Sequence, residues 1–430
     1  MTFIRDQRGN VAIMFALTIP IPIVLCGGAL DIARHELLRI KLQDAVDRGV
    51  LAAASLTQTQ DFDKTVAEYV NALDFGDEVK LTKNGDVSLN ARKVSVVAEH
   101  DMPTYFLPLI GIDQLKVSAV AEAREAKRNI ELSLMLDMSG SMITNDRIGK
   151  LKKAAKSFID QVLTAETREH TTISIVPYAG QVNIGEKVFD KLRGNTPRTH
   201  NYSSCFTLTA ADHSGSAPNF STRSQVLHYT QWNYGRKDMN WWWCPDETTS
   251  VTYHSNNATT LKNRIDSMVM HDGTGTHHAM QWGFWLLDPG SKKITEAAVK
   301  AGAMAEKFKD RPVAFEDGET AKYIVLMTDG AISEQYSPND PNRDPFKLAP
   351  SNKRDYTSGE AVKRFEAACS QAKSKGIVVF TIGFEIDATA QKQMTGCASS
   401  PAHFYNVSGL AIEDAFKSIS TTLNKLRLTQ

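Results

Sequence analysis

The sequence predicts an α/β protein built on a doubly wound, Rossmann-like parallel sheet, preceded by a transmembrane helix and a small α+β unit. Three observations carry that prediction. From residue 129 onward, short apolar runs of strand length alternate with amphipathic helical patterns, as in a parallel sheet covered by helices. Residues 11–30, VAIMFALTIPIPIVLCGGAL, are uncharged, and their length of about 30 Å matches a hydrocarbon core. Between these regions, residues 57–126 hold one helical pattern and several short strand-like runs.

With 430 residues the chain exceeds one typical domain. Lys+Arg and Asp+Glu both total 49, a balance that points away from nucleic acid and anionic surfaces. In the apolar run, Pro20, Pro22, Gly27 and Gly28 would weaken a soluble helix but are tolerated in a spanning one. No small-x-small cleavage site follows Cys26. Leu25 stands where a lipoprotein signal needs a small residue, and Met14 where a prepilin cut after Gly9 calls for Glu. An uncleaved single-pass anchor is the expectation. Arg5 and Arg8 before it, against Arg34, Arg39 and Lys41 after it, leave the orientation open.

Cys26 lies in the span. The remaining Cys205, Cys244, Cys369 and Cys397 are even in number, compatible with two disulfides in an oxidising compartment. Proximity along the chain favours Cys205 with Cys244 and Cys369 with Cys397. Four buried thiols in a cytosolic protein are the competing reading.

After the span, Leu37, Leu38, Leu42, Ala45, Leu51 and Ala52 recur at mostly helical spacing, so the helix is expected to run on to about residue 56. A helix over 62–73 follows, then strands near 79–81, 87–89, 94–98 and 115–120, with Lys83-Asn84-Gly85-Asp86 as a turn. The larger region reads as strand 130–136, a helix presenting Ile148, Leu151, Ala155, Phe158 and Val162, and strand 173–176. Strand 323–327, helix 358–374 and strands 377–382 and 404–407 come later. A closing helix is expected to be capped by Ser408, with Ile412, Phe416, Ile419, Leu423 and Leu426 buried. Residues 181–260 break the alternation and hold Trp232, Trp241, Trp242, Trp243, Cys205 and Cys244. They are expected to form the core of a disulfide-stapled subdomain, with a partner-binding face as the alternative.

Three segments carry chemistry. Asp137-Met138-Ser139-Gly140-Ser141 follows strand 130–136, Gly273-Thr274 precedes a helical pattern, and Thr328-Asp329-Gly330 follows strand 323–327. One carboxylate and two hydroxyls at alternate positions on a tight turn are hard oxygen donors, which suit Mg2+, with Mn2+ or Ca2+ as alternatives. In open parallel sheets ligands bind beyond the carboxyl ends of strands, where Asp137 and Asp329 fall. The pattern resembles the metal-ion-dependent adhesion site of von Willebrand factor A domains, D-x-S-x-S, then Thr, then Asp. The resemblance implies metal ligands at Asp137, Ser139, Ser141, Thr274 and Asp329, and an ion whose open position accepts a carboxylate from a protein partner.

Arg8-Gly9-Asn10-Val11-Ala12, Leu42-Gln43-Asp44-Ala45-Val46-Asp47 and Val50-Leu51-Ala52-Ala53-Ala54 resemble the amino-terminal segment of TadG-like proteins of the Flp (Tad) pilus assembly system. That resemblance implies three parts: a tail and anchor over 1–30, a pilin-like TadE/TadG-type unit over 31–128, and a von Willebrand factor A domain over 129–430. It also implies residence in the cytoplasmic (inner) membrane with the bulk periplasmic or surface-exposed, and a role in pilus assembly or adhesion. The partners would be pilus machinery or a surface protein. A surface or matrix adhesin unrelated to pili is the alternative. A metal-dependent hydrolase is more distant, since no nucleophile elbow, Walker loop, dinucleotide fingerprint or zinc spacing occurs and no catalytic residues are assigned. His277-His278 is the only pair that suggests a base beside a metal. Its two rings are expected to point to different faces of a helix surface.

Overall fold

The structure, a computed structural model, describes residues 10–56, 58–87, 91–126, 128–232, 240, 242–346 and 352–426. The chain divides into two compact units, Met1–Lys127 and Arg128–Thr429.

In the first unit, α1 (Asn10–Thr18) and α2 (Pro20–Ala54) meet at Ile19. Pro20 has no N–H to donate there, yet Ile19 N bonds Phe15 O and Ile23 N bonds Ile19 O, so the helical ladder continues across the junction. Within residues 13–54 lies a helix long and apolar enough to cross a membrane. The later half of α2 turns amphipathic and buries Leu42, Val46, Val50 and Ala53 in one cluster with Val66 and Val70 of α3 (Phe62–Asn71). Leu37 and Leu51, expected on that stripe, are 54% and 67% exposed. The buried face runs 42, 46, 50, 53, and a residue one step along is rotated about 100° away from it.

β1 (Lys80–Val87), β2 (Ala91–Pro103) and β3 (Gln114–Ala126) form an antiparallel sheet in sequence order. The expected turn at residues 83–86 is instead strand, with Gly85 opposite Val94. Glycine is needed there for close approach, because a Cβ would lie 2.7 Å from the ring of Phe62. The expected strand at 87–89 falls largely outside the described residues.

The second unit is built on a six-stranded sheet. Its strands are β4 (Asn129–Asp137), β5 (Thr171–Tyr178), β6 (Thr252–Ser255), β7 (Thr320–Thr328), β10 (Val378–Phe384) and β11 (Phe404–Val407), in the order β11-β10-β7-β4-β5-β6. Neighbours from β11 to β5 are parallel, and β6 closes the β5 edge antiparallel. Alternate strand residues enter two different cores. Leu132, Leu134, Ile173, Val325 and Ile382 pack with α4 (Arg147–Val162), α6 (Ala258–Ser267) and α11 (Ala411–Leu426). Met135, Val176, Ile324 and Val379 pack with α7 (Thr276–Trp285), α8 (Lys293–Lys300), α9 (Ser358–Ser374) and α10 (Ala388–Cys397). The period of two along each strand is what gives the sheet two apolar faces.

Ser408 is not the cap of the closing helix, which begins at Ala411; its carbonyl accepts Ala411 N in the preceding turn. The side chain of Leu426 lies outside the described residues. Both disulfides occur as expected, Cys205–Cys244 and Cys369–Cys397, the second joining α9 to α10.

The 181–260 segment builds only a small buried cluster of its own, Val226 against the Cys205–Cys244 disulfide, and its aromatics do not form it. After the short α5 (Glu186–Leu192), it sends Phe206 and Phe220 into the core beneath α7, where Phe206 stacks on Phe189 at 4.2 Å and Phe220 on Trp282 at 5.3 Å. Of its tryptophans, Trp243 is buried, Trp232 and Trp242 are half-buried, and Trp241 lies outside the described residues. A ribbon of β8 (Gln335–Pro338) and β9 (Asn352–Tyr356) leads into α9, whose first turn is closed by the Thr357/Glu360 capping box.

Candidate metal centre

The parallel register of β4 and β7 places Leu136 beside Met327, so Asp137 and Thr328 leave adjacent strands together. Thr328 Oγ1 donates to Asp137 Oδ2 at 2.6 Å. The chain then turns: Asp137 Oδ1 accepts Ser139 N at 2.7 Å, as short polar side chains do at turns. Ser139 Oγ and Ser141 Oγ lie 3.0 Å apart, and they reach Asp329 Oδ1 at 3.4 and 2.5 Å. Four of the five sequence-selected residues therefore share one hydrogen-bonded cluster.

Thr274 is held nearby through its backbone. Its N–H donates to Ser333 Oγ at 2.9 Å, and Ser333 N donates to Thr274 O at 3.0 Å, which ties its loop to the segment following Asp329. Among the described residues no hydrogen bond joins its hydroxyl to the other four. The loop is braced from below by Trp243, whose indole would lie 2.7 Å from a Cβ at Gly273, a residue with φ +79°. Asp272 fastens the same loop to the insertion by accepting Gln231 N and Trp232 N at 3.0 and 2.7 Å.

The cluster is electrostatically unbalanced. Burial raises the pKa of Asp137, and the charge of Asp329 raises it further; burial also raises that of Asp329 against the bonds from Ser141 and Arg147. Arg147, the first residue of α4, donates to Asp329 Oδ2 at 2.9 Å and neutralises one of the two carboxylates. Two carboxylates, two hydroxyls and one uncompensated buried charge fit a hard divalent cation. The sequence does not mark Arg147 or Tyr178, whose hydroxyl donates to Met327 O at 2.9 Å and lies 3.4 Å from Asp137 Oδ2, and it assigns Thr328 no role of its own. Thr328 had a signal, its place beside Asp329 after an apolar strand. Arg147 and Tyr178 had none.

His277 and His278 are not surface groups on different faces. Both are fully buried in the first turn of α7, with ring centroids 4.0 Å apart, because that helix is enclosed on all sides.

Residues 9–56 match the family model for Flp pilus-assembly TadE/G-like proteins. The chain opens with a TadE/G-like segment. That segment covers the whole of α1 and α2, including the part of α2 that packs on α3. No curated protein matches the chain. Among solved structures, similarity is found to the pilus adhesin SpaC from Lactobacillus rhamnosus GG, at 12% identity and TM-score 0.39, covering 81% of this chain and 35% of that one. The vWF domain of the type V pili tip protein Mfa5 from Porphyromonas gingivalis is similar at 13% identity and TM-score 0.39, covering 71% and 98%. Proximal thread matrix protein 1 from the mussel byssus, with a zinc-occupied MIDAS motif, is similar at 13% identity and TM-score 0.31, covering 68% and 46%. The chain thus spans about a third of SpaC.

Proposed function

We propose that this is a membrane-anchored pilus assembly or adhesion protein whose second unit is a doubly wound von Willebrand factor A domain. In this reading it binds protein partners through a Mg2+-dependent adhesion site of Asp137, Ser139, Ser141, Thr274 and Asp329. The carrying observation is the convergence of Asp137, Ser139, Ser141 and Asp329 at the ends of adjacent parallel strands, in a chain with a TadE/G-like amino-terminal segment. Asp137 and Asp329 supply charge, and the serine and threonine hydroxyls supply neutral oxygens. With so few anionic ligands, a bound ion would supply electrostatic attraction for a carboxylate of the partner. Ser139 N fixes one Asp137 oxygen and Thr328 the other, so the donor set is oriented before binding. The role is non-enzymatic. Residues 11–30 would hold the protein in the cytoplasmic membrane with its bulk outside, a compartment in which Cys205–Cys244 and Cys369–Cys397 persist.

The test is Asp137→Ala in the native host. The expected protein is folded and membrane-inserted, with reduced Mg2+ affinity by calorimetry and impaired pilus-dependent attachment. Normal piliation and attachment despite lost metal binding would overturn the reading. Lost attachment in cells devoid of pili would favour an adhesin unrelated to them.

A further inference from the structure

His213, on the short turn at Ala210–Ser214 of the insertion, meets His277 and His278 with ring centroids at 5.6 and 5.4 Å. All three are buried, and one ligand nitrogen from each lies within 4.8 Å of one from each of the others. His213 Nδ1 lies 3.0 Å from Thr209 O. A carbonyl only accepts, so the proton is on Nδ1 and Nε2 keeps a lone pair. Among the described residues that Nε2 has no hydrogen-bond partner, and neither has Nδ1 of His277 or of His278. Three buried, unpartnered ring nitrogens in one cluster call for a ligand.

We propose that His213, His277 and His278 bind a transition-metal dication of the Zn2+ class, and so clamp the insertion onto α7. Neutral imidazoles suit such ions, whereas the oxygen cluster at Asp137 suits Mg2+. Burial disfavours the protonated form of all three rings, and Arg364 disfavours it further, which keeps them in the ligating state. Nε2 of His277 and of His278 face Tyr356 Oη at 2.8 and 3.1 Å. In the loaded state the protons of both rings would sit on Nε2 and the phenol oxygen would accept from them, leaving the two Nδ1 atoms for the ion, as hydrogen-bonded outer groups do in other histidine sites. Gln181 Nε2 is 3.1 Å from His278 Nε2, so loading displaces that amide contact. A cleft of about 340 Å³ lined in part by Gln181, Tyr229, His278, Tyr356 and Arg364 reaches one of the three rings.

The test is equilibrium dialysis of the detergent-solubilised full chain against Zn2+ in excess Mg2+. About one Zn2+ per chain is expected, retained in Asp137→Ala and weakened in His213→Ala, which loses a direct ligand, by more than the roughly tenfold known for changes to outer groups. Co2+ loaded into the unaltered protein should show a nitrogen-ligated spectrum, a readout that does not depend on any variant folding. No Zn2+ uptake, uptake lost in Asp137→Ala but kept in His213→Ala, or an all-oxygen Co2+ spectrum would overturn the proposal.

A different observation carries a second inference. A Cβ at Gly27 would fall 2.3 Å from Phe106, and one at Gly28 would fall 3.1 Å from Leu107, so the turn at Leu107–Ile110 lies against the end of the apolar span. Asp31 holds it there by accepting Tyr105, Phe106 and Leu107 N–H at 2.8 to 3.0 Å. Tyr105, Leu109, Ile110 and Ile112 are exposed. If residues 11–30 span the membrane, a turn touching residues 27 and 28 sits at its surface. We infer that this turn enters the lipid interface beside the anchor, an inference that rests on the span reading.

Single cysteines in a Cys26→Ser background, labelled with an environment-sensitive dye in phospholipid nanodiscs, test it. Probes at Leu17→Cys and Ile110→Cys should both resist an aqueous quencher, and one at the exposed Glu78→Cys should not. Quenching at 110 with protection at 17 overturns the turn's insertion alone. Quenching at both overturns the span and the insertion together.

Discussion

Arg147 Nη1 donates to Asp329 Oδ2 at 2.9 Å, while its Nη2 pairs with Glu385 at the same distance. The ion pair lies within the oxygen cluster itself, so the guanidinium compensates a charge that a divalent cation would also compensate. Arg147→Gln is expected to lower metal-free stability by roughly 1 to 3 kcal/mol, the cost of leaving a buried charged group short of its partner. The same change should enlarge the stabilisation produced by Mg2+. Denaturant midpoints with chelator and with Mg2+ check both; an unchanged metal-free midpoint would show that the pair does not matter.

The raised pKa of Asp137 sets a pH dependence. Its folded value lies above its unfolded one, so the folded chain holds the proton more tightly. Metal-free stability should then fall as pH rises from the unfolded value through the folded value. Asp137→Asn should flatten that decline, and Mg2+ should cancel it in the unaltered protein. At a hundred times the dissociation constant the ion adds about 2.7 kcal/mol. A change in urea midpoint between pH 5 and pH 8 that is the same in chelator for Asp137→Asn and for the unaltered protein would refute the argument.

Buried histidines act in the opposite sense. Burial pushes His254 down to about 4 and His228 to about 3. Below their unfolded value near 6.5 the unfolded chain binds more protons. Their contribution is therefore present above about pH 6.5 and lost as pH falls toward the folded values, by up to about 1.4 kcal/mol per unit for each ring. Replacing His228 with Phe should reduce the slope of stability between pH 6.5 and 4.5. An equal slope would remove His228 from the account.

The disulfides close loops of similar size, with separations of 39 and 28 residues. Replacing either pair with serines should cost roughly 2 to 4 kcal/mol, mostly by freeing the unfolded chain. Equilibrium unfolding with each pair removed measures it. A loss confined to one pair would mean the other is offset by strain in the folded chain.

What the sequence determined by itself was local in origin. The apolar length of residues 11–30, the alternation of strands and helices, the two-residue spacing of Asp137, Ser139 and Ser141, and the pairing of nearby cysteines all depend on neighbours along the chain. Backbone geometry turns such spacing directly into a face, a turn or a short loop. Only the tertiary structure decided which glycine was a turn and which a contact: Gly85 pairs with Val94 in a strand, and Phe62 of α3 leaves no room there for a Cβ. It also decided that His277 and His278 lie inside, where they meet His213 from another part of the chain, and that Phe206 and Phe220 of the insertion join the main core. Arg147 and Asp329 are 182 positions apart and meet only because β4 and β7 lie side by side. The physical reason is that burial and charge compensation depend on what the fold brings alongside a residue, and no periodicity in the residue's own segment records that.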